Sequence, residues 1–348
     1  MNGLSRIAAR GYQHPRWATL GWAIVWGLVA AAWSDGRIFA QSRNRLENRL
    51  EGKPAQEIGP NGPKLGQALT QRWKLGVEIT ARSPCVGIVA TAPVPTDWPE
   101  QRVRVVEEEI SPEVSQVLYR TLDDGVQQMA VHIPQLAPGR TAKAIVTVEI
   151  TRHALLPPDN PQTLVIPNRP PREVRKWLGP SPYIETRNNE IRRKAEEIVA
   201  GKSTAWEQVE AIYDWVRENV KYQNGPLKGA LAAMRDGTGD CEELTSLFIA
   251  MCRVNKIPAR TVWVPDHCYP EFYLEDEQGR GYWIPCQAAG ARAFGGIPEH
   301  RPILQKGDNF TVPESKQPQR YVPELLQAKS IGGTPPEVRF IRQLLPAR

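Results

Sequence analysis

The sequence predicts an α+β domain preceded by a small antiparallel β-sandwich, and three observations carry the prediction. Between residues 71 and 155 apolar residues recur at every second position: Leu75, Val77 and Ile79, then Val103 and Val105, then Val146, Val148 and Ile150. That alternation marks strands with one buried face. The turns between them (Ala92-Pro93-Val94-Pro95, Ala137-Pro138-Gly139) favour antiparallel neighbours. From about residue 185 the apolar period changes to 3.6. The third observation is a capped helix start, Gly237-Thr238-Gly239-Asp240-Cys241-Glu242-Glu243, running into the apolar stretch Leu244 to Met251.

Taken in order, residues 1–40 read as a signal peptide. Arg6, Arg10 and Arg16 precede an uncharged run from Trp17 to Ser34, and small Ala40 precedes Gln41. The run is long for a signal core and slightly short of a span of ~20 residues, so an uncleaved anchor is the alternative. Both readings place the body of the protein in the periplasm or outside the cell, and it meets a membrane only if the segment is retained. Residues 41–70 carry Pro, Gly, Lys, Arg and Asn without periodicity and read as a linker. The sandwich, 71–155, holds isolated His132 and His153, which read as histidines satisfied by their surroundings. Prolines from Pro157-Pro158 to Pro180-Ser181-Pro182 make 156–184 an extended connector. The α+β domain is expected over 185–300. In it Thr204 and Glu207 form a capping box, and Trp206, Val209, Tyr213, Val216 and Val220 make a core-facing stripe. Residues 301–348 read as a C-terminal extension without a fold of its own.

The formal charge is +6. Arg6, Arg10, Arg16 and Arg37 against Asp35 supply +3 of it, leaving +3 for the rest. No basic stripe with interleaved aromatics occurs, so nucleic acid is not the expected partner.

The chemistry gathers at Cys241. With Asp240 as N-cap, the cysteine falls at the first helical position, where free N–H groups and the helix dipole favour a thiolate. The helix is expected to end near Asn255, ahead of Pro258. A thiol nucleophile needs a base within reach and a group to orient that base. His267 is the candidate base, in Asp266-His267-Cys268-Tyr269-Pro270-Glu271-Phe272-Tyr273-Leu274. A turn at Asp276–Gly279 leads to Tyr282-Trp283-Ile284-Pro285-Cys286-Gln287, so the two runs read as a hairpin. If Leu274 lies opposite Arg280, His267 lies opposite Gln287 on the same face. A slip of one residue would bring Cys286 or Ala288 instead, neither of which offers a side-chain oxygen to an imidazole N–H.

Four ordered motifs here resemble the transglutaminase-like superfamily of papain-fold thiol enzymes. They are Gly239-Asp240-Cys241, Lys256-Ile257-Pro258-Ala259-Arg260, His267-Cys268-Tyr269-Pro270-Glu271 and Trp283-Ile284-Pro285-Cys286-Gln287. Ala211 to Tyr222 is similar to the family's lead-in helix, and the resemblance covers roughly residues 185–300. It implies a papain/transglutaminase-like fold, with Cys241 as nucleophile, His267 as base and Gln287 in the place of the family's aspartate. The departure at Gln287 matters: an amide can orient an imidazole but supplies no charge to an imidazolium.

Five cysteines (Cys85, Cys241, Cys252, Cys268, Cys286) would leave at least one thiol unpaired in an oxidising compartment. Cys252 falls in the core of the Cys241 helix. Cys268 points away from the His267 face, and both read as small buried residues. A zinc set of Cys241, His267 and Cys286 lacks any paired-ligand spacing. The expected function is therefore an extracytoplasmic thiol enzyme, without cofactor or metal. It would hydrolyse or transfer acyl groups at amide or peptide bonds of a protein or peptide substrate, possibly of the cell envelope. The alternative is a degenerate module that keeps the fold for binding.

Overall fold

The computed structural model describes residues 58–347, so the expected signal peptide and most of the expected linker lie outside the described residues. Six long strands come first: β1 (Lys64–Thr80), β2 (Cys85–Val94), β3 (Gln101–Ile110), β4 (Gln116–Thr121), β5 (Gln127–Leu136) and β6 (Thr141–Leu156). They separate, three to each, into two antiparallel sheets that share one core. Trp73, Leu75, Val77 and Ile79 from β1 meet Ile88 and Ala90 from β2, Met129, Val131 and Ile133 from β5, and Val146, Val148 and Ile150 from β6. Burying each of the larger side chains is worth about 1.5–3 kcal/mol, which is what alternation along these strands secures.

The chain's far end completes both sheets. Strand β13 (Leu325–Ser330) pairs with β2, and β14 (Glu337–Leu344) pairs with β1, giving the orders β13-β2-β5-β4 and β14-β1-β6-β3. The segment expected to be a structureless extension is thus part of the two-sheet core, with Val338 and Phe340 packed against it. Strand β1 also begins at Lys64, so residues 64–70, expected in the linker, are paired with β6.

The helical part follows a helical turn at Arg172–Arg175. Helix α1 (Asn189–Val199) starts where the Asn188 side chain accepts from Glu190 N–H and Ile191 N–H. Helix α2 (Ala205–Asn219) starts at the Thr204/Glu207 capping box. Helix α3 (Ala230–Asp236) is short, and the two-residue strands β7 (Lys221–Tyr222) and β8 (Thr238–Gly239) pair in parallel on either side of it. Helix α4 (Cys241–Val254) is the most enclosed: Leu247, Phe248, Ile249, Ala250 and Met251 are fully buried. It packs on a sheet ordered β11-β10-β9-β12, built from β9 (Ala259–Val264), β10 (His267–Glu275), β11 (Gly281–Pro285) and β12 (Gln305–Lys306). Phe272 of β10 stacks on Phe294 at 5.6 Å, and Trp206 of α2 meets Phe294 edge-on at 4.8 Å. Among the described residues no helix is long and apolar enough to cross a membrane.

Candidate active site

Strand alternation divides β10 into two faces with different neighbours. Phe272 and Leu274 join the core under α4, so Cys268 and Pro270 share that face. His267, Tyr269 and Glu271 lie on the other. There the Tyr269 hydroxyl accepts from Arg152 of β6 at 3.0 Å, and Glu271 pairs with Lys306 of β12 at 3.0 Å.

Cys241 is delivered by the helix start that its sequence prescribes. The Asp240 carboxylate accepts from Glu242 N–H at 2.8 Å, while Glu243 reaches back to Asp240 N–H at 3.0 Å. Glu243 is 2% exposed, and its second oxygen accepts from Lys228 N–H at 3.0 Å. Room for this folded-back side chain explains Gly239: a Cβ there would sit 2.5 Å from the Glu243 Cβ. With the cap occupied by Asp240, the Cys241 N–H has no intrahelical acceptor.

His267 is placed by a tight hairpin. Val264 and His267 are paired, and Pro265-Asp266 form the turn between them, with Asp266 at φ 57°. Proline leading and an Asp in the left-handed region is an inexpensive way to reverse the chain. Arg301 clamps the turn by donating to the Pro265 carbonyl at 3.0 Å.

Gln287 meets His267 by a different register from the one expected. In the β10–β11 ladder Leu274 lies opposite Tyr282, two residues from the expected Arg280, and pairing ends at Glu271–Pro285. A slip of two preserves the face, so Gln287 becomes a diagonal rather than a direct neighbour of His267. Beyond the ladder the backbone of Gln287 is held apart from β10. Its N–H donates to the Ala293 carbonyl at 2.8 Å, and its carbonyl accepts from Tyr213 Oη and Arg217 Nη1, each at 2.9 Å. The side chain then reaches back, and Gln287 Oε1 stands 3.0 Å from His267 Nε2. That leaves Nδ1 as the ring nitrogen for the neighbouring Cys241 thiol, whose proximity raises the His267 pKa.

The electrostatics of this cluster suit an ion pair. The Cys241 thiol is drawn down to about 4: the Cys268 thiol beside it is the largest influence, burial opposes, and His267 and the Cys268 backbone N–H add their support. Burial opposes charging of His267, but hydrogen bonds to Cys241 and Gln287 and the thiolate charge outweigh it and raise its pKa, with Arg301 opposing. Asp240 is raised, first by burial and also by the neighbouring Cys241 and Glu243 charges.

All three residues singled out in the sequence are therefore together. Three contributors were not anticipated. Cys268 faces away from the His267 side of its strand, as alternation requires, yet that direction points it at the start of α4 and so at Cys241. Tyr222 comes close through the β7–β8 pairing, near enough for the Cys241 and Asp240 charges to help desolvation raise its hydroxyl pKa. Arg320 pairs with Glu242, next to Cys241, while covering the Trp263 ring at 5.2 Å. Only the β7–β8 contact had a local signal, the short Lys221-Tyr222 run after α2. Among the described residues no group of three or more His, Cys, Asp or Glu side chains is arranged to hold a metal, and the set Cys241, His267 and Cys286 forms none.

Comparison with known proteins bears on the fold. A search of curated proteins finds no match. Among solved structures, a protein from Cytophaga hutchinsonii described as a candidate cysteine protease aligns with 79% of this chain and 100% of its own, at 17% identity and a TM-score of 0.50. That likeness shows a shared fold. A candidate protease from Parabacteroides distasonis aligns with 69% of this chain and 49% of its own at 13% identity, and its TM-score of 0.27 carries no weight. The family model described as the transglutaminase-like superfamily matches residues 192–288, a span that contains Cys241, His267 and Gln287. Over that span the chain is similar to the transglutaminase-like superfamily.

Proposed function

We propose that the protein is an extracytoplasmic thiol enzyme that hydrolyses or transfers acyl groups at amide or peptide bonds of a protein or peptide, with the cell envelope as its setting. One observation carries the reading: His267 sits between a thiol at a helix N-terminus and an amide oxygen 3.0 Å from its Nε2. In the proposed mechanism the Cys241 thiolate attacks the carbonyl carbon. The oxyanion is met by the free Cys241 N–H at the start of α4. Imidazolium His267 protonates the departing amine, and the neutral ring then takes a proton from the water or amine that resolves the thioester. Gln287 keeps the ring turned towards Cys241 throughout.

A second reading has one observation in its favour. Gln287 brings no charge to the imidazolium, which suits a module that retains the fold for binding. Incubation of the full chain with envelope peptides, alongside Cys241→Ala, separates the two. Cleaved or amine-linked products that vanish in the variant support the enzyme. Peptide retention by both proteins with no product from either overturns it.

A further inference from the structure

A second thiol stands against Cys241, and the chemistry above gives it no bond to make or break. Cys268 leaves β10 on the face packed against α4 and is 1% exposed. Its S–H donates to the Cys241 carbonyl oxygen, with Sγ 3.5 Å from it, and the thiol is near enough to the Cys241 sulfur to lower that sulfur's pKa. All five cysteines lie among the described residues. Cys241 alone is partly exposed, while Cys85, Cys252, Cys268 and Cys286 are buried and none is in a disulfide.

We propose that Cys241 and Cys268 form a peroxide-responsive pair, in which Cys268 captures the oxidised nucleophile as an intramolecular disulfide. The Cys241 thiolate attacks one oxygen of hydrogen peroxide and the O–O bond breaks. The departing hydroxide takes a proton from imidazolium His267 and leaves as water, so Cys241 is oxidised to a sulfenic acid. The Cys268 sulfur then attacks the Cys241 sulfur. The S–S bond forms, the S–O bond breaks, and the hydroxyl leaves with the Cys268 proton as a second water. Two thiols have supplied two electrons to one peroxide.

The order of events follows from exposure. Burial keeps the Cys268 thiol protonated and shielded, so the oxidant enters at Cys241. Closure needs the two sulfurs to approach to about 2.05 Å. Without a resolving partner a sulfenic acid proceeds to sulfinic acid, which reductants do not restore.

The inference rests on the thiolate character assigned to Cys241 under the proposed function. It is tested on reduced full-length protein and on Cys268→Ser, each exposed to hydrogen peroxide and mapped by mass spectrometry after alkylation. Wild type should yield a linked Cys241–Cys268 peptide two hydrogens lighter, with Cys241 labelling restored by dithiothreitol. Cys268→Ser should accumulate sulfinic Cys241 and lose that restoration. Sulfinic Cys241 in wild type without the linked peptide, or equal restoration in the variant, overturns the pair. If the variant fails to fold, the linked peptide in wild type decides alone. Iodoacetamide labelling before peroxide separates the two readings. A Cys241 unreactive at neutral pH sinks the proposed function, whereas a reactive Cys241 that never links sinks only the pair.

Discussion

Replacing Gln287 by glutamate or alanine perturbs the base while leaving its surroundings in place. The backbone at 287 is held by Ala293, Tyr213 and Arg217 through main-chain atoms, none of which the substitutions touch. A carboxylate oxygen at the position of Oε1 would stand 3.0 Å from His267 Nε2. Coulomb attraction at that separation runs from about 1.4 kcal/mol in bulk water to about 5.5 kcal/mol at the effective dielectric of a protein site. Gln287 and His267 are both half-buried, so the lower end applies and the imidazolium gains about one pKa unit. The sign follows from the charge: an adjacent anion favours the protonated ring, so Gln287→Glu extends the thiolate–imidazolium pair to higher pH. Gln287→Ala removes one of the hydrogen bonds that raise the His267 pKa, so the pair should be lost at lower pH. The assay is the rate of Cys241 alkylation by iodoacetate against pH. This anionic reagent slows as the imidazolium loses its proton, so the alkaline limb reports His267. The limb should move up by about one unit in the Glu variant and down in the Ala variant. Three superimposable limbs would show that Gln287 does not orient the base.

Two further predictions test what holds the site together. Glu100 is fully buried, and Lys306 and Arg152 hold its carboxyl down at about 2 in spite of that burial. The folded value is lower than the unfolded one, so its stabilisation is in place above ~4.3 and is lost as pH falls towards 2. Urea unfolding at about pH 5 and about pH 2.5 should differ by on the order of 2 kcal/mol from this group; an undiminished difference in Glu100→Gln would refute the assignment. A fragment spanning residues 185–348 should lose Cys241 alkylation at neutral pH, because it strips β13 and β14 of their partners and bares Glu271, Lys306 and Tyr269. A folded fragment with full thiol reactivity would show the two-sheet region to be merely appended.

Legibility followed the range of each interaction. The start of α4 was readable because its determinants, Gly239, Asp240, Cys241 and Glu243, are within five residues of one another, and the hydrogen bonds are those the capping pattern prescribes. The meeting of His267 with Gln287 was readable through parity alone. A hairpin slip of two leaves every side chain on its face, so the face survived an expected register that was wrong. The pairing of β14 with β1 was not readable. Phe340 lies opposite Val77, more than 260 positions away, and the strand is set among prolines and charges that hide its alternation. Residues 64–70 were missed for a similar reason: Leu65 and Leu69 remain exposed on β1, so burial imposed no pattern there. Alternation gave the correct direction for Cys268, but only the packing of α4 over β10 reveals what lies in that direction.

The ion network between the two-sheet region and β10 bears on the geometry of the candidate site more than on stability. Glu100, Arg152, Glu271 and Lys306 are each 3% exposed or less, and Arg260 completes the chain at 2.5 Å from Glu271. Buried charges of this kind return little net stability, since well-packed apolar residues of similar volume would hold the interface as well. What they impose is geometry: each acceptor must meet its donor, so β6 and β12 can sit against β10 in only one way. Tyr269, bonded to Arg152, is two residues from His267 on the same face, so the strand that carries the base is indexed to the two-sheet region. Cys241 is fixed from the opposite side, by the apolar core beneath α4. Cys241 and His267 are thus anchored in separate parts of the fold and meet at the start of α4. A displacement of about 1 Å between such groups can cost 10²-fold in rate, and the hydrogen bond from Arg152 to Tyr269 opposes that displacement on the side of the base.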